Sequence, residues 1–170
     1  VMFSTYNYRP GSGIRWEVEV ERAIEKKFTI ANEKDKAWDI VLGLKKRLKK
    51  GGIGEASIRR TLEYAMPAVI DLVKNIEELK VAIGIMFDFN TALYENGTYG
   101  GDIPKLLIPP AVGASENIED LKIFMDMIIK LVKDKVTFNM DRLIFAIFPT
   151  IEARKSGVKL DELCTYILPK

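Results

Sequence analysis

Between Asn32 and Lys133 apolar side chains return at steps of three and four residues, and no other feature constrains this chain as tightly. Ala37, Val41, Leu44 and Leu48, flanked by Trp38 and Leu42, make one such stripe. Ile58, Leu62, Ala65, Met66, Val69 and Val73 make another. A half-buried strand needs a period of two, so the pattern predicts an all-α chain. The punctuation agrees. Asn32 is placed to cap a helix whose first turn carries Glu33 and Asp35, and Gly51-Gly52 ends it. The next helix starts near Glu55, and Pro67 removes the bond to the Glu63 carbonyl, so a kink or restart is expected there.

Further helices are predicted from Asn75 to about Tyr94, from about Asn117 to Lys133, from Asn139 to Pro149, and over Leu160 to Leu168. Lys105 to Val112 reads as a short piece interrupted by Pro109-Pro110. The expectation is an irregular bundle of about seven helices. Its core should hold Trp38, Val41, Leu44, Leu62, Met66, Leu79, Ile83, Leu121, Phe124, Ile128, Leu143, Ile147 and Leu163.

The N-terminal end is different. Ile14, Trp16, Val18 and Val20 alternate as in a strand, while Trp16, Val20, Ala23, Ile24 and Phe28 share one helical face. The helix-forming Glu21, Glu25 and Lys26 favour the second reading. Residues 1–13 read as an extended arm: Phe3, Tyr6, Tyr8 and Arg9 precede a Pro10-Gly11-Ser12-Gly13 hinge. With 170 residues in all, residues 14–170 fit a single helical domain.

One pattern recurs. Ile76-Glu77-Glu78-Leu79 returns as Ile118-Glu119-Asp120-Leu121 and as Leu160-Asp161-Glu162-Leu163, each 42 residues on. Asn75 and Lys80 flank the first copy, Asn117 and Lys122 the second. Pro67, Pro109 and a displaced Pro149 lie upstream. The unit would be a proline-kinked helix, a turn and an acid-capped helix, which must stack on its neighbours to bury its apolar faces. Over residues 55–170 this resembles a HEAT-type repeat, in architecture only and with no site residues implied. The other reading is a compact irregular bundle in which acids favour every helix N-terminus.

Composition narrows the chemistry. There is no histidine, which removes the commonest general base and every Ser–His or Cys–His pair. The single cysteine, Cys164, excludes an internal disulfide and a Cys-rich metal site, and reads as a packed core thiol. Acid pairs Glu77/Glu78, Glu119/Asp120 and Asp161/Glu162 fall in predicted first helical turns, where the macrodipole accounts for them. Asp88, Asp102, Asp126 and Asp141 are scattered, with no Asp-x-Asp run. Gly51–Ser57, GGIGEAS, could present free amides to an anion, but it is not a P-loop and no strand precedes it. No catalytic residue, cofactor or metal is expected. The longest uncharged stretch, Leu106 to Ser115, is ten residues with two prolines, far short of a membrane span. An intracellular setting, cytoplasmic or within a nucleoprotein particle, is the expectation.

Charge placement says more than net charge, which is +2. Residues 1–60 carry 14 Lys/Arg against 8 Asp/Glu, and residues 61–170 carry 12 against 16. Lys45, Lys46, Arg47, Lys49, Lys50, Arg59 and Arg60 face only Glu55 between positions 45 and 60. A hairpin turning at Gly51-Gly52 would gather them at one tip. Dipole matching accounts for part of KKRLKK, but contact with a phosphate backbone or an acidic protein surface would account for both sides of the tip. The expected function is non-enzymatic. It is a homo-oligomer, joined through Phe3, Tyr6, Tyr8 and Arg9, that binds RNA or DNA backbone as a nucleoprotein subunit or nucleocapsid-like packaging protein. A helical adaptor that binds only protein is the alternative.

Overall fold

Among the described residues the apolar stripes become nine helices and no strand. The structure is a computed structural model describing residues 15–96, 103–136 and 139–167. The arm residues Phe3, Tyr6, Tyr8 and Arg9 lie outside them. Helix α1 spans Arg15–Lys27, α2 Ala31–Lys50, α3 Glu55–Tyr64, α4 Met66–Leu72 and α5 Ile76–Glu95. Helix α6 spans Ile103–Ala114, α7 Ile118–Lys133, α8 Met140–Lys155 and α9 Leu160–Ile167.

The ambiguous N-terminal stretch is helical because that face closes. Trp16, Val20, Ala23, Ile24 and Phe28 are all buried, whereas Val18 stays partly exposed. Trp16 stacks on Trp38 of α2 with ring centroids 5.9 Å apart. All thirteen expected core residues are buried.

Several boundaries differ from expectation. Asn32 does not cap α2: the helix starts one residue earlier, behind an extended Ile30 that supplies no side-chain cap. Pro109-Pro110 do not interrupt a short piece but lie inside the twelve-residue α6, and α8 runs through Pro149 to Lys155. A proline removes one backbone bond, and packing on neighbouring helices holds the remainder together. Pro67 does separate two helices, standing at the start of α4 after the break at Ala65. Counting α4 apart from α3, at the restart expected from Pro67, and α6 as a full helix brings the number among the described residues from about seven to nine.

The end of α2 explains its glycines. Gly52 adopts φ +91°, a conformation costly for any residue with a Cβ. Its amide reaches the Lys49 carbonyl, and the Ile53 amide reaches Leu48. This is the double bond of a Schellman turn, satisfying two of the last helical carbonyls.

The helices form two layers. α1 packs on α3 and α4, α3 on α6, and α6 on α8; alongside, α2 packs on α5, α5 on α7, and α7 on α9. The chain thus alternates between layers, and Pro67 of α4, Pro109-Pro110 of α6 and Pro149 of α8 all lie outside the α2–α5–α7–α9 layer. Leu79, Leu121 and Leu163 are each the fourth residue of successive helices in the other layer, and all three are buried. Asn75 accepts the Glu78 amide and Asn117 the Asp120 amide, at 2.9 and 3.0 Å. Glu78 and Asp120 each return a bond, from the amides of Lys74 and Glu116. The first two copies of the echo therefore share their caps. The third has lysine at position 159 in place of asparagine.

Candidate functional site

The basic tip is built by the α2–α3 hairpin. The last turn of α2 carries Arg47, Lys49 and Lys50, where cations meet the negative end of the helix dipole. Helix α3 begins behind Gly54, which offers no side-chain cap. Arg59 and Arg60 are its fifth and sixth residues, one turn inside the helix. The dipole fades within the first turn, so positive charge costs little at these two positions.

The structure divides the seven cations. Leu44 and Leu48 face the core. Lys45 and Arg47, two residues apart and so about 200° round the helix, flank that face on opposite sides. Lys45 Nζ lies 5.4 Å from the centroid of the Trp16 ring, and the Arg47 guanidinium 3.9 Å from the Phe87 ring of α5. Both pairs have cation–π geometry, so these two side chains are partly committed to packing. Lys45 is half-buried; Arg47 is exposed all the same, as are Lys46, Lys49, Lys50, Arg59 and Arg60. Arg60 already interacts within the chain. No ion pair among the described residues involves Lys46, Lys49, Lys50 or Arg59. By contrast Lys34, Lys80, Lys122, Lys130 and Lys155 each face a carboxylate.

Beside the tip is a cleft of about 140 Å³, where Lys45 and Arg59 meet Glu17 and Glu55 over a floor of Trp16, Ile58 and Leu62. Burial pushes the Glu17 carboxyl above its ordinary pKa; a hydrogen bond to its own backbone and the charge of Lys45 oppose that shift. Its Oε2 is buried without a hydrogen-bond partner among the described residues. Two acids thus temper the cations on this side, while the face of Lys46, Lys49 and Lys50 has no such neighbour in the cleft.

The remaining candidates resolve structurally. All three acid pairs lie in the first turns of α5, α7 and α9. Asp120 is also buried, and its Oδ1 lies 3.2 Å from Lys155 Nζ, tying the start of α7 to the end of α8. Asp88 and Asp126 line a cleft of about 410 Å³ between α5 and α7 together with Glu95 and Lys133. Asp126 is paired with Lys122, and no cluster of three metal-ligating side chains occurs among the described residues. Asp102 lies outside them. Cys164 is buried, and desolvation raises its thiol pKa, which favours the thiol over the thiolate. No described helix is long and apolar enough to cross a membrane.

Two features escaped the sequence. Thr61 donates to Asn90 Oδ1 at 3.0 Å inside the core, and Asn90 Nδ2 donates to the Met86 carbonyl at 2.7 Å. A buried asparagine on an apolar helix is the only signal that could have revealed this. Phe145 and Phe148 stand on the outside of α8, 83% and 60% exposed. Comparison with known proteins adds nothing further: no family model, no curated protein and no solved structure matches the chain.

Proposed function

We propose that this chain is a non-enzymatic, self-associating helical protein that binds nucleic-acid backbone through the α2–α3 tip, with little dependence on sequence. One observation carries the reading: Lys46, Lys49, Lys50 and Arg59 are gathered at one hairpin, exposed, and in no ion pair among the described residues. Clustered like charges repel one another. A polyanion relieves that repulsion and releases its own counterions in doing so. The uncapped start of α3 at Gly54 adds backbone amides beside the lysines. Nothing in this arrangement reads a base edge, so the contact is with phosphate and positions rather than specifies. Packaging or accessory duty in a nucleoprotein complex fits such a surface.

The exposed Phe145 and Phe148 favour a second reading, a helical adaptor that binds only protein. Fluorescence anisotropy with labelled single- and double-stranded oligonucleotides across a salt series separates the two. Backbone binding requires an affinity that falls steeply with salt, with a slope of about 0.7–0.9 per phosphate neutralised. Failure to bind at low salt would leave the adaptor.

A further inference from the structure

We propose that the outer face of α8 is the acceptor for the aromatic arm of a second copy of this chain. The proposal rests on the self-association reading above and names its surface. Leu143, Ile147, Thr150 and Ile151 turn α8 inward. Asp141, Phe145, Phe148 and Glu152 follow at steps of four, three and four, which places them on one opposite stripe. Phe145 is 83% exposed and Phe148 60%. Leu106 of α6, the helix packed beside α8, is a further exposed apolar side chain. An acid stands at each end of the two phenylalanines, both exposed, and neither is held in an ion pair among the described residues. Arg142 flanks the stripe; Lys155, whose ammonium pairs with Asp120, also attracts Glu152 from one turn on, and Lys105 lies over the Tyr64 ring.

An apolar stripe closed by carboxylates is a poor seat for nucleic acid and a good one for a cationic aromatic segment. Residues 1–14 are such a segment: Phe3, Tyr6 and Tyr8, then Arg9, and no acid. Dimensions agree. The eleven steps from Asp141 to Glu152 rise about 16 Å along the helix. The five steps from Phe3 to Tyr8 reach at most about 16 Å, so the aromatic residues fit within the length of the stripe, with Arg9 next in sequence. The donor is another copy because the arm is joined to α1 and the seven steps from Arg15 back to Tyr8 reach at most about 25 Å. That helix is separated from α8 in its layer by α3 and α6, about 24–30 Å at ordinary interaxial spacings. The contact joins two different surfaces, so it propagates as a ring or an open chain instead of closing as a two-fold dimer.

Complementation tests the assignment in the full-length chain. One variant carries Phe3→Ser, Tyr6→Ser and Tyr8→Ser; the other carries Phe145→Glu and Phe148→Glu. Circular dichroism confirms that each remains folded. Sedimentation velocity should find the wild type above monomer mass, each variant alone monomeric, and their equimolar mixture a dimer, since one intact arm meets one intact acceptor. Wild-type mass in the α8 variant overturns the acceptor while leaving self-association standing. A monomeric wild type overturns both, and leaves nucleic-acid binding to be judged by its own salt series. A separate charge exchange, Arg9→Glu with Asp141→Lys and Glu152→Lys, should restore an association that either half abolishes; no restoration removes the electrostatic part of the argument.

Discussion

Asn75 and Asn117 stand forty-two residues apart and hold one posture: φ −158° and ψ 178° at the first, φ −156° and ψ 177° at the second. Replacing a capping asparagine by alanine costs about 0.5–2 kcal/mol, and Asn75→Ala and Asn117→Ala should each lose that much in urea denaturation. Lys159 holds the corresponding place before α9, where its carbonyl accepts the Leu163 amide. Lys159→Asn should therefore supply a missing cap and raise stability. A loss would show that the chain enters its third acid-started helix along a different path.

Leu79 and Leu121 are fully buried at matching positions of α5 and α7. Leu79→Ala and Leu121→Ala should each destabilise by about 2–5 kcal/mol, through lost burial and the cavity left behind. Values under about half a kcal/mol at both sites would contradict the packing described.

Lys155 and Lys130 give a pH dependence at the alkaline end. Hydrogen bonds to Asp120 in the first case, and to Asp161 and Asp134 in the second, hold both ammonium groups above their ordinary pKa of 10.5. A base with a higher pKa folded than unfolded contributes stability that is complete below the unfolded value. That contribution is lost as pH rises through the folded value. The thermal midpoint should fall above pH 10.5, and Lys155→Met should shrink that fall. A midpoint independent of pH in that range would mean that neither pair persists in solution.

Glu17 acts in the acidic range with the opposite consequence. Its pKa is raised from 4.5, chiefly by burial, so the folded state holds the proton more tightly than the unfolded chain. Stability then declines as pH rises from 4.5 through the raised value, and the penalty persists at neutrality. Glu17→Gln should remove that decline and stabilise the protein at pH 7. Destabilisation there would mean that the attraction of Lys45 outweighs the burial of the carboxylate.

What the sequence disclosed was local. The stripe through Trp16, Val20, Ile24 and Phe28, the stop at Gly51-Gly52 and the asparagine caps each depend on neighbours within about two turns, and period and chemistry reveal them. Asn32 misled because a capping residue type does not fix where an extended residue stands, and Ile30 takes that role without a side-chain bond. Pro149 misled because an interior proline is tolerated once packing compensates its lost bond. Lys45 on Trp16, Arg47 on Phe87 and Thr61 on Asn90 join residues nearly thirty or more positions apart. Only tertiary placement reveals such pairs. The basic tip was accordingly legible as a cluster of charge, but not as a cluster divided between packing and solvent.

That division decides how the tip should be tested. Arg59 and Arg60 are poor sites for that test: Arg59 lines the cleft that holds Glu17 and Glu55, and Arg60 interacts within the chain. Arg59→Glu with Arg60→Glu would place new carboxylates beside existing ones and disturb the fold as well as any ligand. Lys46, Lys49 and Lys50 are exposed and hold no ion pair among the described residues. Lys46→Gln, Lys49→Gln and Lys50→Gln together remove three charges and keep good helix formers in place. Lys49 and Lys50 lie in the last turn of α2, where each lost cation forfeits about 0.3–1 kcal/mol at low salt, so the thermal midpoint should fall by no more than a few degrees. If the tip contacts phosphate, affinity for an oligonucleotide should drop at low salt, and the salt-dependence slope should flatten by about 0.7–0.9 for each contact removed. A uniform loss on single and double strands of any sequence would accompany it. Unchanged affinity and slope in the triple variant would move the nucleic-acid interface off the α2–α3 hairpin altogether.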